Sequence, residues 1–198
     1  MRTEVLDVPT SKGMARVHVQ LDEASAGLLV LGHGAGGGVD SPDLRAARDA
    51  GLDSGMAVAL VEQPYRVAGR RVPPPIAAAA QAWVEVVQHL RERFADGVLV
   101  AGGRSFGGRV ACRSAVEVGA DAVLCLAFPL VSPKGADRGP ELYGVRLPVL
   151  VVQGERDPFG LPEEGEGRTV VVVQGTHTLN KDGDRISRVV SEWLRECL

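Results

Sequence analysis

Gly103-Arg104-Ser105-Phe106-Gly107 is the stretch on which the reading of this chain turns. An apolar run at residues 97–102 precedes it and a helical pattern at residues 107–118 follows it. A G-x-S-x-G sequence between a buried strand and a helix is the setting of a nucleophile elbow. The turn is so tight that the positions two before and two after the serine must be small. The serine is held in a strained backbone conformation with its hydroxyl above the sheet. The helix behind it aims free N–H groups at the same point, where negative charge is favoured. A glycine-rich turn that merely contains a serine has the same spelling, so the rest of the chain has to agree.

Working outward, residues 3–8 and 15–21 read as two strands of a hairpin. Residues 27–31 form a compact apolar run, the pattern of a strand covered on both faces. A helix is expected from Ser41-Pro42 to about residue 54, since proline is tolerated in a first turn. A strand at 56–61 and a Pro/Arg-rich loop at 62–75 follow. The next helix spans 76–94, with Ala80, Trp83, Val84, Val87 and Leu90 at helical spacing. Beyond the elbow come a strand at 122–128, a polar loop at 130–146, and two further buried strands at 149–153 and 169–174. A final helix at about 185–197 carries Ile186, Val189, Val190, Trp193, Leu194 and Cys197 on one face. Strands alternating with helices predict a mostly parallel sheet covered on both sides, with its ligand site beyond the carboxyl ends of the strands.

The second signal is Gly32-His33-Gly34-Ala35-Gly36-Gly37-Gly38, just past the strand at 27–31. An oxyanion hole needs two converging backbone N–H groups. Phe106 would supply one and Ala35 the other, with Gly34 and Gly36 as alternatives for the second. His33 then shapes the loop. A rival reading takes Gly32, Gly34 and Gly37 as the G-x-G-x-x-G of a dinucleotide site, with Glu62 as the ribose acid. Against it, Val39-Asp40-Ser41-Pro42 intervenes before the helix, and two strands precede the motif. A P-loop is excluded, because no Gly-Lys-Ser/Thr follows.

A serine hydroxyl needs a base to become a nucleophile, and the base needs an acid to fix its tautomer. His177 lies between the last strand and the last helix. Asp157, in Gly154-Glu155-Arg156-Asp157-Pro158, follows the preceding strand. Each of Ser105, Asp157 and His177 thus stands just past a strand end. Asp182 and Asp184 are competing acids but read as the entry to the last helix. His18 and His89 fall inside a strand and a helix and read as structural.

The bulk properties agree. With 198 residues, the chain is expected to form one domain over 1–198. A net charge of −3 and 4% aromatic residues give neither a basic surface nor a stacking platform for nucleic acid. Neither a signal-peptide pattern nor an apolar run long enough to span a membrane is found, and a cytoplasmic location is expected. Cys112, Cys125 and Cys197 read as reduced, mostly buried thiols rather than disulfides, zinc ligands or nucleophiles. The acidic run at 163–167 lacks the alternating spacing of a calcium loop. No metal or cofactor is called for.

The chain resembles the small α/β-hydrolase-fold proteins related to dienelactone hydrolase, in a compact branch of hydrolases. The resemblance runs through Leu31–Gly37, Glu62-Gln63-Pro64-Tyr65-Arg66, Gly69-Arg70-Arg71, Gly102–Arg109 and Val152–Gly160. It implies an α/β-hydrolase fold with a minimal cap, the triad Ser105, His177 and Asp157, and esterase-like chemistry on a small ester or thioester. Dienelactone hydrolase itself uses cysteine, so its lactone substrate does not carry over to Ser105. A non-catalytic interaction module is the alternative. Gly34, Gly36, Tyr65 and Arg66 are candidate substrate contacts. Arg66, Arg70 and Arg71 could clamp a carboxylate or phosphate, or lie on a solvated loop. Arg104 reads as a salt-bridge partner supporting the elbow.

Overall fold

The computed structural model describes residues 1–22, 25–94 and 97–198. Its strands are β1 (Arg2–Thr10), β2 (Gly13–Leu21), β3 (Gly27–Gly32), β4 (Ala57–Glu62), β5 (Val98–Arg104), β6 (Ala122–Leu126), β7 (Val149–Gly154) and β8 (Arg168–Val173). Its helices are α1 (Pro42–Asp53), α2 (Pro64–Val67), α3 (Ile76–Phe94), α4 (Phe106–Ser114), α5 (Gly139–Tyr143) and α6 (Gly183–Cys197). The strands form one sheet in the order β1-β2-β4-β3-β5-β6-β7-β8. β1 and β2 are antiparallel, β2 meets β4 antiparallel, and every pair from β4 onward is parallel.

The burial pattern follows from this topology. β3, β6 and β7 are buried at every position, as apolar strands covered on both faces must be. β2 alternates, with Ala15, Val17 and Val19 inward. On one face α3 and α4 pack Trp83, Val87, Leu90 and Val110 against the sheet. On the other, α1 and α6 bury Leu44, Ala47, Ile186, Val190 and Leu194. The spacing of the last three puts them on one stripe of α6, as the helical period requires.

Four local readings are corrected. β8 is expected to be fully buried but is half-exposed, because it is the edge strand and has a neighbour on one side only. The Pro/Arg-rich loop contains the short helix α2, and the loop at 130–146 contains α5; both begin at or beside a proline, which suits a helix start. The helix expected over 107–118 is regular only to Ser114.

The site is placed by the pairing of β3 with β5, in which Gly32 lies opposite Gly103. The chain leaves β3 toward α1 on one face and leaves β5 into α4 on the other. A crevice opens between adjacent strands whose connections diverge in this way. The glycine loop after β3 and the elbow after β5 therefore stand side by side.

Candidate active site

Ser105 has φ 50° and ψ −105°, a left-handed conformation that a side-chain-bearing residue adopts only when its surroundings enforce it. The surroundings are backbone. The Ser105 N–H donates to Leu126 O at 2.8 Å. A Cβ on Gly107 would lie 2.5 Å from the carbonyl carbon of Gly32 and closer still to its oxygen; one on Gly103 would also collide with that oxygen. The elbow glycines are thus required chiefly by the neighbouring strand β3, not only by each other. Gly32 itself packs against the Trp83 ring. It is a structural member of the elbow, which sequence reading had assigned only to the glycine loop.

His177 Nε2 lies 2.9 Å from Ser105 Oγ, and His177 Nδ1 lies 2.8 Å from Asp157 Oδ2. The Asp157 side chain is 1% exposed and that of His177 18%. Asp157 is held at both oxygens: Gln153 Nε2 donates to Oδ2 and the Phe159 N–H to Oδ1, each at 2.9 Å. Gln153 is buried, and its Nε2 also lies within hydrogen-bond distance of Phe128 O and Gly160 O, which share its second hydrogen. Phe159 then stands edge-on to the His177 ring, 4.7 Å between centroids. The Asp157 and His177 loops are tied by backbone, since the Arg156 N–H donates to Gly175 O and Gly154 leaves no room for a Cβ against Thr176. Gln153 and Phe159 sit in the stretch that carries the resemblance; their bonds to Asp157 are local, four and two residues away, whereas the Gln153 bond to Phe128 and the Phe159 contact with His177 cross the chain.

Phe106 opens α4, so its N–H has no helical acceptor. Among the described residues neither that N–H nor the N–H of Ala35 is taken by a protein acceptor. The glycine loop is rigidly held. His33 is fully buried; its Nδ1 lies 2.8 Å from Gly34 O, and its Nε2 accepts the Gln63 N–H at 3.1 Å. The ring is therefore neutral, with its proton on Nδ1. Tyr65 donates its hydroxyl to Ala35 O at 2.7 Å, and burial pushes its pKa up to about 12. The tyrosine fixes the Ala35 peptide from behind.

His33 carries a pH prediction. Burial lowers its pKa below the ordinary value of 6.5, outweighing the opposing Gly34 carbonyl. A depressed folded pKa gives stability that is fully present above the unfolded value and is lost as pH falls through the folded one. Protonation would also turn Nε2 from an acceptor into a second donor facing the Gln63 N–H. Wild-type melting temperature is expected to fall below pH 6.5 more steeply than that of His33→Gln. Parallel slopes for the two proteins would refute it.

Beside Ser105 lies an open cleft of about 420 Å³, walled by Ala35, Pro73, Pro74, Ile76, Phe106, Pro129, Pro133 and Phe159, with Arg109 and Arg138 as its cations. Arg109 is held by a bidentate pair with Glu141, at 2.6 and 2.8 Å. Arg138 has no carboxylate within ion-pair distance among the described residues. The structure does not bring Tyr65, Arg66, Arg70 or Arg71 into this cleft. Tyr65 is buried behind the glycine loop, Arg66 donates to Arg70 O, and Arg70 lines a separate cavity between the β1–β2 turn, α2 and α3. Gly34 lies against Ser105, whereas Gly36 has open space where a side chain would stand. Gly34 and Gly36 are not among the cleft-lining residues. The G-x-G-x-x-G spacing does not open a helix, because α1 begins only at Pro42.

The thiols stand apart from this chemistry. Cys112 and Cys125 are buried with their sulfurs 3.5 Å apart, and the contact with Cys125, with burial, pushes the Cys112 pKa up. Among the described residues no group of three His, Cys, Asp or Glu side chains could hold a metal ion, and no helix is long and apolar enough to cross a membrane.

A family model described as an alpha/beta hydrolase domain matches residues 25–185. The chain belongs to this family. No curated protein sequence matches it. Solved structures share the fold at low identity. An α/β serine hydrolase without a lid from Xanthomonas campestris is 17% identical, with a TM-score of 0.83 over 100% of this chain and 96% of the other. An α/β serine hydrolase homologue from Coxiella burnetii is 13% identical, with a TM-score of 0.79 over 98% of both chains. A dienelactone hydrolase from Anabaena variabilis is 19% identical, with a TM-score of 0.76 over 98% and 97%.

Proposed function

We propose that this α/β-hydrolase is a serine hydrolase acting on small esters or thioesters, with Ser105 as nucleophile, His177 as base and Asp157 as orienting acid. One observation carries the reading: the unbroken chain Ser105 Oγ, His177 Nε2, His177 Nδ1, Asp157 Oδ2, with contacts of 2.9 and 2.8 Å. With Asp157 Oδ2 accepting from Nδ1, that nitrogen keeps its proton and Nε2 is free to accept the serine proton. Ser105 Oγ then bonds to the acyl carbon while its proton passes to Nε2. The carbonyl oxygen becomes an oxyanion facing the N–H groups of Phe106 and Ala35. Collapse breaks the bond to the alcohol or thiol, which leaves with the proton from Nε2. Water, deprotonated by His177, attacks the acyl-enzyme and releases the acid.

The cleft supports small substrates. Its walls are mostly prolines, aromatic rings and small apolar groups, and among the described residues no cap domain stands over it: the chain between β6 and β7 adds only the short helix α5. A fluorophosphonate probe is expected to label the wild-type protein at Ser105, read by mass spectrometry of the labelled peptide. Short-chain p-nitrophenyl esters are expected to turn over with higher kcat/KM than long-chain ones. Folded protein that resists the probe would favour the non-catalytic interaction module instead.

A further inference from the structure

Arg104 immediately precedes the nucleophile, and the hydrolysis just described gives it no step. Its guanidinium nevertheless meets three separate parts of the site. Nε forms an ion pair with Asp43 Oδ2 at 2.9 Å, though the N–H is not aligned for a hydrogen bond. Nη2 donates to His177 O at 3.0 Å. Nη1 lies beside Gly34, where a Cβ would stand 2.6 Å from it. Asp43 is in the first turn of α1 and completely buried, with Oδ1 accepting the Leu44 N–H at 3.0 Å. Burial holds the Asp43 carboxyl above its ordinary range, with Arg104 opposing the shift.

We infer that Arg104, neutralised by Asp43, is a positioning residue that locks the His177 loop and the glycine loop onto the elbow. The inference rests on the hydrolase reading above. His177 belongs to a loop after the half-exposed edge strand β8, the least enclosed strand of the parallel part of the sheet. Its ring is oriented by Asp157, but its main chain is anchored to the elbow through Arg104. The same guanidinium supports the glycine loop at Gly34, one residue from the expected oxyanion donor. A lysine could not reproduce this, because an ammonium is a point charge while the planar fork reaches several partners at fixed angles. Asp43 holds the fork in place and sits too deep to meet substrate. A side chain at Gly34 would have to displace the guanidinium, since its Cβ would stand 2.6 Å from Nη1.

The test separates positioning from folding and from failure of the hydrolase reading. Arg104→Met keeps the aliphatic stem and removes the donors, but leaves Asp43 buried and unpaired, so it is expected to lower stability. The double variant D43N/R104M removes that unpaired charge and is expected to recover most of the melting temperature. Its fluorophosphonate labelling rate and its kcat on a short-chain p-nitrophenyl ester are expected to stay below wild type by ten- to on the order of 100-fold, with KM little changed, because a small displacement of the base is costly. Its low-field proton resonance from His177 Nδ1 is expected to broaden or move. Arg104→Lys is expected to restore only part of the rate. A double variant that melts, labels and resonates like the wild type would overturn the inference. If the wild type itself resisted the label, the hydrolase reading would fall, and the His177 resonance alone would still decide whether Arg104 holds that ring.

Discussion

Ser105→Ala is expected to lower kcat for a short-chain ester by on the order of a millionfold, the scale on which triad serines act elsewhere. The loss comes from the nucleophile alone. Alanine keeps the Cβ that Ser105 already carries at φ 50°, so the turn, with its Ser105 N–H to Leu126 O bond, is retained. Stability is expected to stay within about 0.5 kcal/mol of wild type. His177→Ala should cost nearly as much as the serine, and adding it to Ser105→Ala should cost little more, because the residues act as one unit. The measurement is steady-state hydrolysis with melting curves on the same preparations. Undiminished turnover in folded Ser105→Ala would remove the proposed mechanism.

Gly107→Ala is expected to have the largest effect on stability. The new Cβ would overlap the Gly32 carbonyl, and both its nearest neighbours are backbone atoms of the buried strand β3. Neither can swing aside as a side chain could. Either β3 or the start of α4 must shift, and both positions are fixed by the sheet and by the core around Val110. A cost of about 4 kcal/mol or more is expected, the range reached only by named structural conflicts. For a chain of this length that is a fall in melting temperature of about 10 °C, or no recoverable folded protein. Gly38→Ala is the control, because a Cβ there meets no atom within 4 Å. Its expected effect is within about 0.5 kcal/mol. Equal melting temperatures for Gly107→Ala and wild type would show that the elbow tolerates a side chain on this side.

Much of the fold was legible before any coordinates. The apolar runs at β3, β6 and β7 are too short for helices and carry no alternation, so they could only be strands covered on both faces. The α6 stripe Ile186, Val190, Leu194 is a helical period that no strand would produce. The candidates Ser105, Asp157 and His177 were found because each stands just past a strand end, and parallel strands send all such ends to one edge of the sheet. What misled was local composition. β8 is as apolar as its neighbours, yet its place at the edge leaves it half-exposed. The arginines at 66, 70 and 71 could be read as a clamp or as a solvated loop; none of them lines the cleft, whose cations come from Arg109 on α4 and Arg138 before α5.

Residue order and hydrophobic period by themselves determined the strand–helix alternation, the elbow and the three residues proposed to react. Those signals are local, or arise from a rule that applies to every parallel sheet. Only the tertiary structure decided that Gly32 is the reason for Gly103 and Gly107, that Gln153 and Phe159 hold Asp157 and His177, and that Arg104 joins Asp43 to the His177 loop. Apart from the local bonds of Gln153 and Phe159 to Asp157, those contacts join segments far apart in the chain. They depend on which strands lie side by side and how far each loop reaches beyond the sheet, and neither quantity has a period or a spacing in the chain.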